Sequence, residues 1–146
     1  LAYKDASITY KETKIKTAGP GQLIVMLYDE AVKQLTTAIE MLGAVKEKKD
    51  PGKIELIGKA IMKTEDIITE LMISLDFDQG GEIAQQLFSL YTWFNRELVD
   101  ANIAQDIEKM LTVKKLIIEL RNTWNAISQN TVDKPNREAI GINIAG

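Results

Sequence analysis

"MLTVKKLIIELRNTWNAI", residues 110–127, places Met110, Val113, Ile117, Leu120, Trp124 and Ile127 at steps of three, four, three, four and three. Such spacing stacks side chains on one face of a 3.6-residue helix, whereas a strand would require alternation. The stretch predicts an amphipathic helix from about Ala104 to Gln129 that must bury one stripe against something else.

Working back along the chain, the same period recurs three times. Ile83, Leu87, Tyr91, Phe94, Leu98 and Ala101 define a helix over about 82–102. "DANIAQD" between the last two helices holds no strong breaker, and a tight turn is expected there. Ile54, Ile57, Ile61, Ile68, Leu71 and Leu75 define another helix over about 53–76, ended by "DFDQGG". Two adjacent glycines permit positive φ at that break, and Asp76 and Asp78 suit the positive end of the following helix dipole. Gly58, inside that second helix, costs about 1 kcal/mol relative to alanine, so a close helix–helix approach is expected at it. Leu23, Leu27, Ala31, Leu35, Ala38, Leu42 and Val45 mark the first helix, which Pro20 opens and "KKDPGK" closes. Asn102, beside the last junction, is expected to satisfy orphan backbone groups there.

Long helices joined by short turns lie antiparallel to their neighbours. The expected fold is all-α: an antiparallel up-down-up-down four-helix bundle over 19–130, with a loosely packed N-terminal arm over 1–18 and a mobile C-terminal tail over 131–146. In the arm, Leu1, Tyr3, Ile8 and Tyr10 are apolar or aromatic yet keep no sustained period.

Composition removes several classes of function. The chain of 146 residues is 45% hydrophobic and 27% charged, which fits one globular domain. It has no histidine and no cysteine, so the usual general base, the commonest transition-metal ligand and thiolate chemistry are all missing. Di-iron bundles need Glu-x-x-His on two helices, and no such motif exists here. "QGGEIA" lacks the preceding strand and the lysine of a phosphate-binding loop. No serine or threonine stands beside an evident base, so no enzyme is expected and no cofactor or metal is implied. A net charge of −3 argues against nucleic acid, and Lys11, Lys14 and Lys16 have no interleaved aromatic platform. No apolar run reaches the ~20 residues of a membrane span, so no membrane insertion is expected and the chain reads as cytoplasmic.

A second apolar set exceeds what a bundle core needs. Phe88, Val99 and Ile103 keep helical spacing off the main stripe of the third helix. Met62 and Ile73 do so on the second, and Ile107, Leu111 and Ile118 widen the arc of the fourth. A bundle helix needs a stripe of roughly 100°. Wider coverage points to another surface against the bundle: a second subunit, the protein's own arm or a client peptide. Single exposed apolar residues are also common and call for no partner.

Five stretches, in order, resemble one family, the flagellin-specific export chaperones of the FliS family. They are Ala2-Tyr3-Lys4, "TAGPGQLIVMLYDEAVKQL" (17–35), "SLDFDQGGEIAQQLFSLY" (74–91), "ELVDAN" (97–102) and "ELRNTW" (119–124). The likeness covers about residues 2–128. The resemblance implies an ATP-independent cytoplasmic chaperone that binds the disordered C-terminal segment of flagellin, prevents premature polymerisation and aids delivery to the flagellar secretion apparatus. Further partners implied are an export-gate component and flagellar regulatory proteins, with the chaperone itself a monomer or weak homodimer. It also implies that Tyr3, and Ile8 with it, pack over an apolar groove until the client displaces them. Met62, Ile73, Phe88, Val99 and Ile103 are the expected client surface. The alternative is a self-associating helical adaptor with no flagellin client.

Overall fold

The structure is a computed structural model and describes residues 20–47 and 50–130. Four long helices follow one another: α1 Pro20–Lys46, α2 Ile54–Ile73, α3 Phe77–Ala104 and α4 Ile107–Asn130, with a 3₁₀ turn Pro51–Lys53 before α2. Each of α1 and α3 packs on both α2 and α4, so the chain order is also the order around the bundle.

Cross-helix pairs fix the directions. Gln22 Nε2 donates to Ser128 Oγ (3.0 Å), and Arg121 Nε to Asp29 Oδ1 (2.8 Å), so α4 descends as α1 rises. Asn95 Nδ2 donates to Thr69 Oγ1 (3.3 Å) between α2 and α3, and Lys109 Nζ pairs with Glu97 Oε2 (3.1 Å) between α3 and α4. The architecture is the antiparallel four-helix bundle that the periodicity implied.

The junctions form by local chemistry. Asp76 caps α3, its Oδ1 accepting from the Asp78 and Gln79 backbone N–H groups, both at 3.0 Å. At the end of α3, Gln105 adopts the left-handed conformation (φ 52°), and the Asp106 N–H returns to the Ala101 carbonyl at 2.9 Å. This six-to-one bond satisfies an orphan carbonyl and reverses the chain without a glycine. Asp106 then accepts from the Lys109 N–H to start α4. Thus "DANIAQD" is a turn, but the amide that serves the junction belongs to Gln105, which donates to the Asn102 carbonyl (2.7 Å). The Asn102 side chain instead lies over Gly58.

Two glycines have structural demands on them, and Gly58 is not one. A Cβ at Gly58 would meet the Asn102 amide at 3.9 Å, an ordinary contact, whereas one at Gly21 would lie 2.5 Å from Ser128 Oγ. The close approach belongs to the α1–α4 seam. Gly81 takes φ 52°, ψ −122° and kinks α3 after its first turn. Positive φ is open to glycine at little cost.

The core runs through all four helices. Leu35, Ile61, Ile68, Phe94, Leu98 and Val113 are among its fully enclosed members. Fully burying a side chain of this size contributes about 1.5–3 kcal/mol. At its centre Tyr28 and Tyr91 meet hydroxyl to hydroxyl at 2.5 Å, joining diagonal helices α1 and α3. Trp124 also hydrogen-bonds Tyr28. Indole offers only a donor, which leaves the Tyr28 hydroxyl proton for Tyr91. Burial pushes the Tyr28 hydroxyl well above its ordinary range, and the neighbouring Tyr91 pushes it the same way. Burial likewise raises Tyr91, to about 12.

Two residues assigned to the core stripe lie outside it: Ile54 is 54% exposed and Ile83 45% exposed. Ile54 occupies the first turn of α2, level with the α3–α4 junction, where α3 has ended. Ile83 occupies an early turn of α3 that runs past the last turn of α2. Ala84 is buried in its place.

Candidate functional site

Met62 and Ile73 are eleven residues apart on α2, and Phe88 and Val99 are eleven apart on α3. Eleven helical residues make about three turns and about 16 Å, so each pair shares one face. All four lie on the outside of the bundle, with Met62 58% and Ile73 77% exposed. Ile103, one turn beyond Val99, is 79% exposed.

The α2–α3 register brings these faces together. The Thr69–Asn95 bond and the approach of Asn102 to Gly58 are two fixed points of the antiparallel pair. Counting from them, Met62 falls level with the turn holding Val99, and Ile73 falls level with the turn beginning at Phe88. The seam therefore carries two apolar lobes: Met62, Val99 and Ile103 at one end, Ile73 and Phe88 at the other. Between them lies a polar waist where Thr69 and Asn95 join. The Thr69 hydroxyl donates to the Glu65 carbonyl (2.9 Å), so its oxygen is the acceptor for Asn95. Asn95 Oδ1 has no hydrogen-bond partner.

The sequence reading missed one member of the second lobe. Phe77 stacks edge-on against Phe88, with centroids 5.8 Å apart and planes at 67°. In a straight helix these residues would stand about 16 Å apart along the axis. The Gly81 kink folds the first turn of α3 back and closes the gap. The signal was present in "DFDQGG", where an aromatic residue precedes paired glycines.

The opposite edge of α3, toward α4, has a different character. There Lys109 pairs with Glu97 (3.1 Å) and lies 3.9 Å from Asp100. The hydrogen bond to Glu97, with the nearby acidic charges, raises the Lys109 ammonium pKa. On α2, burial and the neighbouring Asp66 raise the Glu65 carboxyl.

On α4, Leu111 and Ile118 line a shallow groove of about 420 Å³ with Lys114, Lys115 and Glu119. Ile107, read from the pattern with these two, is instead partly buried against the core. Tyr3 and Ile8 lie outside the described residues.

Among the described residues no cluster of His, Cys, Asp or Glu could hold a metal ion, and no helix is long and apolar enough to cross a membrane. What the α2–α3 seam offers chemically is apolar area, at about 25 cal/mol per Å² when covered.

Comparison with known proteins gives a consistent result. Residues 3–131 match the family described as "Flagellar protein FliS". The chain is 35% identical over 126 residues to the flagellar secretion chaperone FliSB of Pseudomonas aeruginosa, covering 86% of this chain and 92% of that protein. It is 34% identical over 128 residues to the flagellar secretion chaperone FliS of Salmonella typhimurium, covering 87% of each. With the Bacillus subtilis flagellar secretion chaperone FliS, identity is 26% over 130 residues, 89% of this chain and 91% of that protein.

Proposed function

Because the chain belongs to the FliS family, whose members are chaperones and not enzymes, we propose that it is a cytoplasmic, ATP-independent export chaperone for flagellin. It holds the disordered C-terminal segment of flagellin, prevents premature polymerisation and helps bring the client to the flagellar secretion apparatus.

The observation that carries this reading is the pair of apolar lobes on the outside of α2 and α3. The bundle core is closed without them, so they are available to an unfolded client. Ordering such a client costs about 2–5 kcal/mol of the gross interaction energy. Burial at ~25 cal/mol per Å² offsets that cost without nucleotide hydrolysis. Met62, Ile73, Phe88, Val99 and Ile103 form the client surface, and Phe77 joins them through its contact with Phe88. Methionine suits such a surface because its flexible thioether repacks around different partners.

Tyr3 and Ile8 act as placeholders that cover apolar surface before the client arrives. An intramolecular competitor lowers apparent affinity by the fraction of protein left competent to bind, which favours release at the export gate.

Isothermal titration of the C-terminal flagellin segment into the full chain, with light scattering alongside, tests the reading. A one-to-one complex is expected. A persistent homodimer with no heat of binding would replace this function with that of a self-associating adaptor.

A further inference from the structure

The two lobes and the waist between them form a pattern that a ligand must match. Resting on the client reading above, we infer that the α2–α3 seam recognises one amphipathic helix with two apolar clusters about eleven residues apart, a polar or small residue between them, and basic residues on the flank that overlies α2.

The spacing comes from the lobes themselves, since Met62 to Ile73 and Phe88 to Val99 are both three helical turns. The helical form follows from hydrogen bonding. Backbone groups of α2 and α3 are satisfied within their own helices, so the seam has no free strand edge to lend. An extended ligand would press its own unpaired N–H and C=O groups onto apolar side chains, which is costly. A helix brings its backbone already paired.

The waist selects by penalty. Thr69 and Asn95 are tied to each other there, and Asn95 Oδ1 already lacks a partner. A large apolar side chain laid over this point would seal polar groups away from water, whereas a polar or small one would leave them solvated or paired.

The charge of the flank selects sign. Residues 54–104 hold three basic side chains, Lys59, Lys63 and Arg96, against nine acidic ones, for a net charge of −6 beside the −3 of the whole chain. Glu55, Asp66 and Glu70 lie along the outer face of α2 beside Met62 and Ile73, with Lys59 paired to Glu55 at 3.4 Å. Complementary charge steers encounter and rejects like-charged ligands.

Fluorescence anisotropy with synthetic helical peptides of about 18 residues, long enough to span both lobes, tests the inference on the full chain. One peptide carries leucine clusters eleven residues apart, a central Gln and a lysine flank. A second moves the clusters to seven apart, and a third replaces the lysines with glutamates. The C-terminal flagellin segment is titrated in parallel and as a competitor. The first peptide should bind about tenfold or more tighter than either variant, the difference that one well-buried anchor supplies. Its binding should weaken several-fold between about 50 and 300 mM salt, as screening shortens the reach of the acidic flank. It should also lose affinity for the M62S/I73S protein and displace the flagellin segment.

Equal binding of the three peptides, or preference for the glutamate flank, would overturn the inference; if flagellin still bound, the chaperone reading would stand. If the spaced peptide bound selectively and flagellin did not, the recognition pattern would hold and the identity of the client would fail. A homodimer abolished by M62S/I73S, with no peptide bound, would overturn the inference in favour of a second copy as occupant.

Discussion

Two faces of α2 carry similar side chains and meet different fates. Ile57, Ile61, Ile68 and Leu71 turn inward and are enclosed, while Met62 and Ile73 turn outward into solvent. Inward, each apolar group leaves water when the chain folds. Outward, it leaves water only when something else arrives. The same division runs along α3, with Tyr91, Phe94 and Leu98 inside and Phe88, Val99 and Ile103 outside. Stability therefore resides on one side of these helices, and the proposed recognition on the other.

The inner face should respond most strongly to change. Ile61→Ala opens a cavity in a fully enclosed site and should cost about 2–5 kcal/mol, read as a lower urea midpoint by circular dichroism. A loss below about 1 kcal/mol would mean that this region is less closely packed than the contrast requires.

Alkaline pH probes the centre of the same region. In the unfolded chain both tyrosines release their protons near pH 10.0, whereas Tyr91 when folded holds its proton to about 12 and Tyr28 beyond its ordinary range. Between those limits the folded state binds more protons, so stability is intact below pH 10.0 and falls as pH rises. Two such groups give a slope of up to about 2.7 kcal/mol per pH unit. Denaturant titrations across that range, repeated on Tyr91→Phe, should show a smaller slope in the variant.

Gly81 joins the two regions. Gly81→Ala places a Cβ on a backbone at φ 52° and should cost about 1–2 kcal/mol. It should also shift the Phe77–Phe88 contact, visible as changed aromatic proton shifts by NMR. Smallest is the effect of Ile103→Ser on the outer face, expected within about 0.5 kcal/mol of wild type in the same unfolding assay.

How far the sequence foretold this depends on the kind of contact. Met110, Val113, Ile117 and Trp124 are buried as their spacing required, because α4 has one clear stripe. On α1, Leu23 and Leu27 were assigned to the core, yet Ile24, Val25 and Tyr28 are the more enclosed side chains. That helix is apolar around much of its circumference and faces two neighbours, so two overlapping stripes fit the same period. Ile54 and Ile83 were misplaced because a period does not register where the facing helix stops. The turn at Gln105 formed without glycine, through a left-handed residue that no breaker announces. At the candidate site, the surplus of apolar residues was legible as arcs wider than a bundle needs. Their meeting across the seam was not, because it depends on the α2–α3 register fixed by Thr69, Asn95, Gly58 and Asn102. Phe77 was hidden for a related reason: its partner is brought near by a kink.

The most direct test is to compare wild type with the M62S/I73S/V99S protein in two assays, urea unfolding and titration with the C-terminal flagellin segment. Unfolding free energies should agree within about 1 kcal/mol, since three exposed positions are changed. Binding should be at least about tenfold weaker, because the anchors on both lobes have been removed. Wild-type affinity in a fully folded variant would contradict the account, and so would a variant that fails to fold.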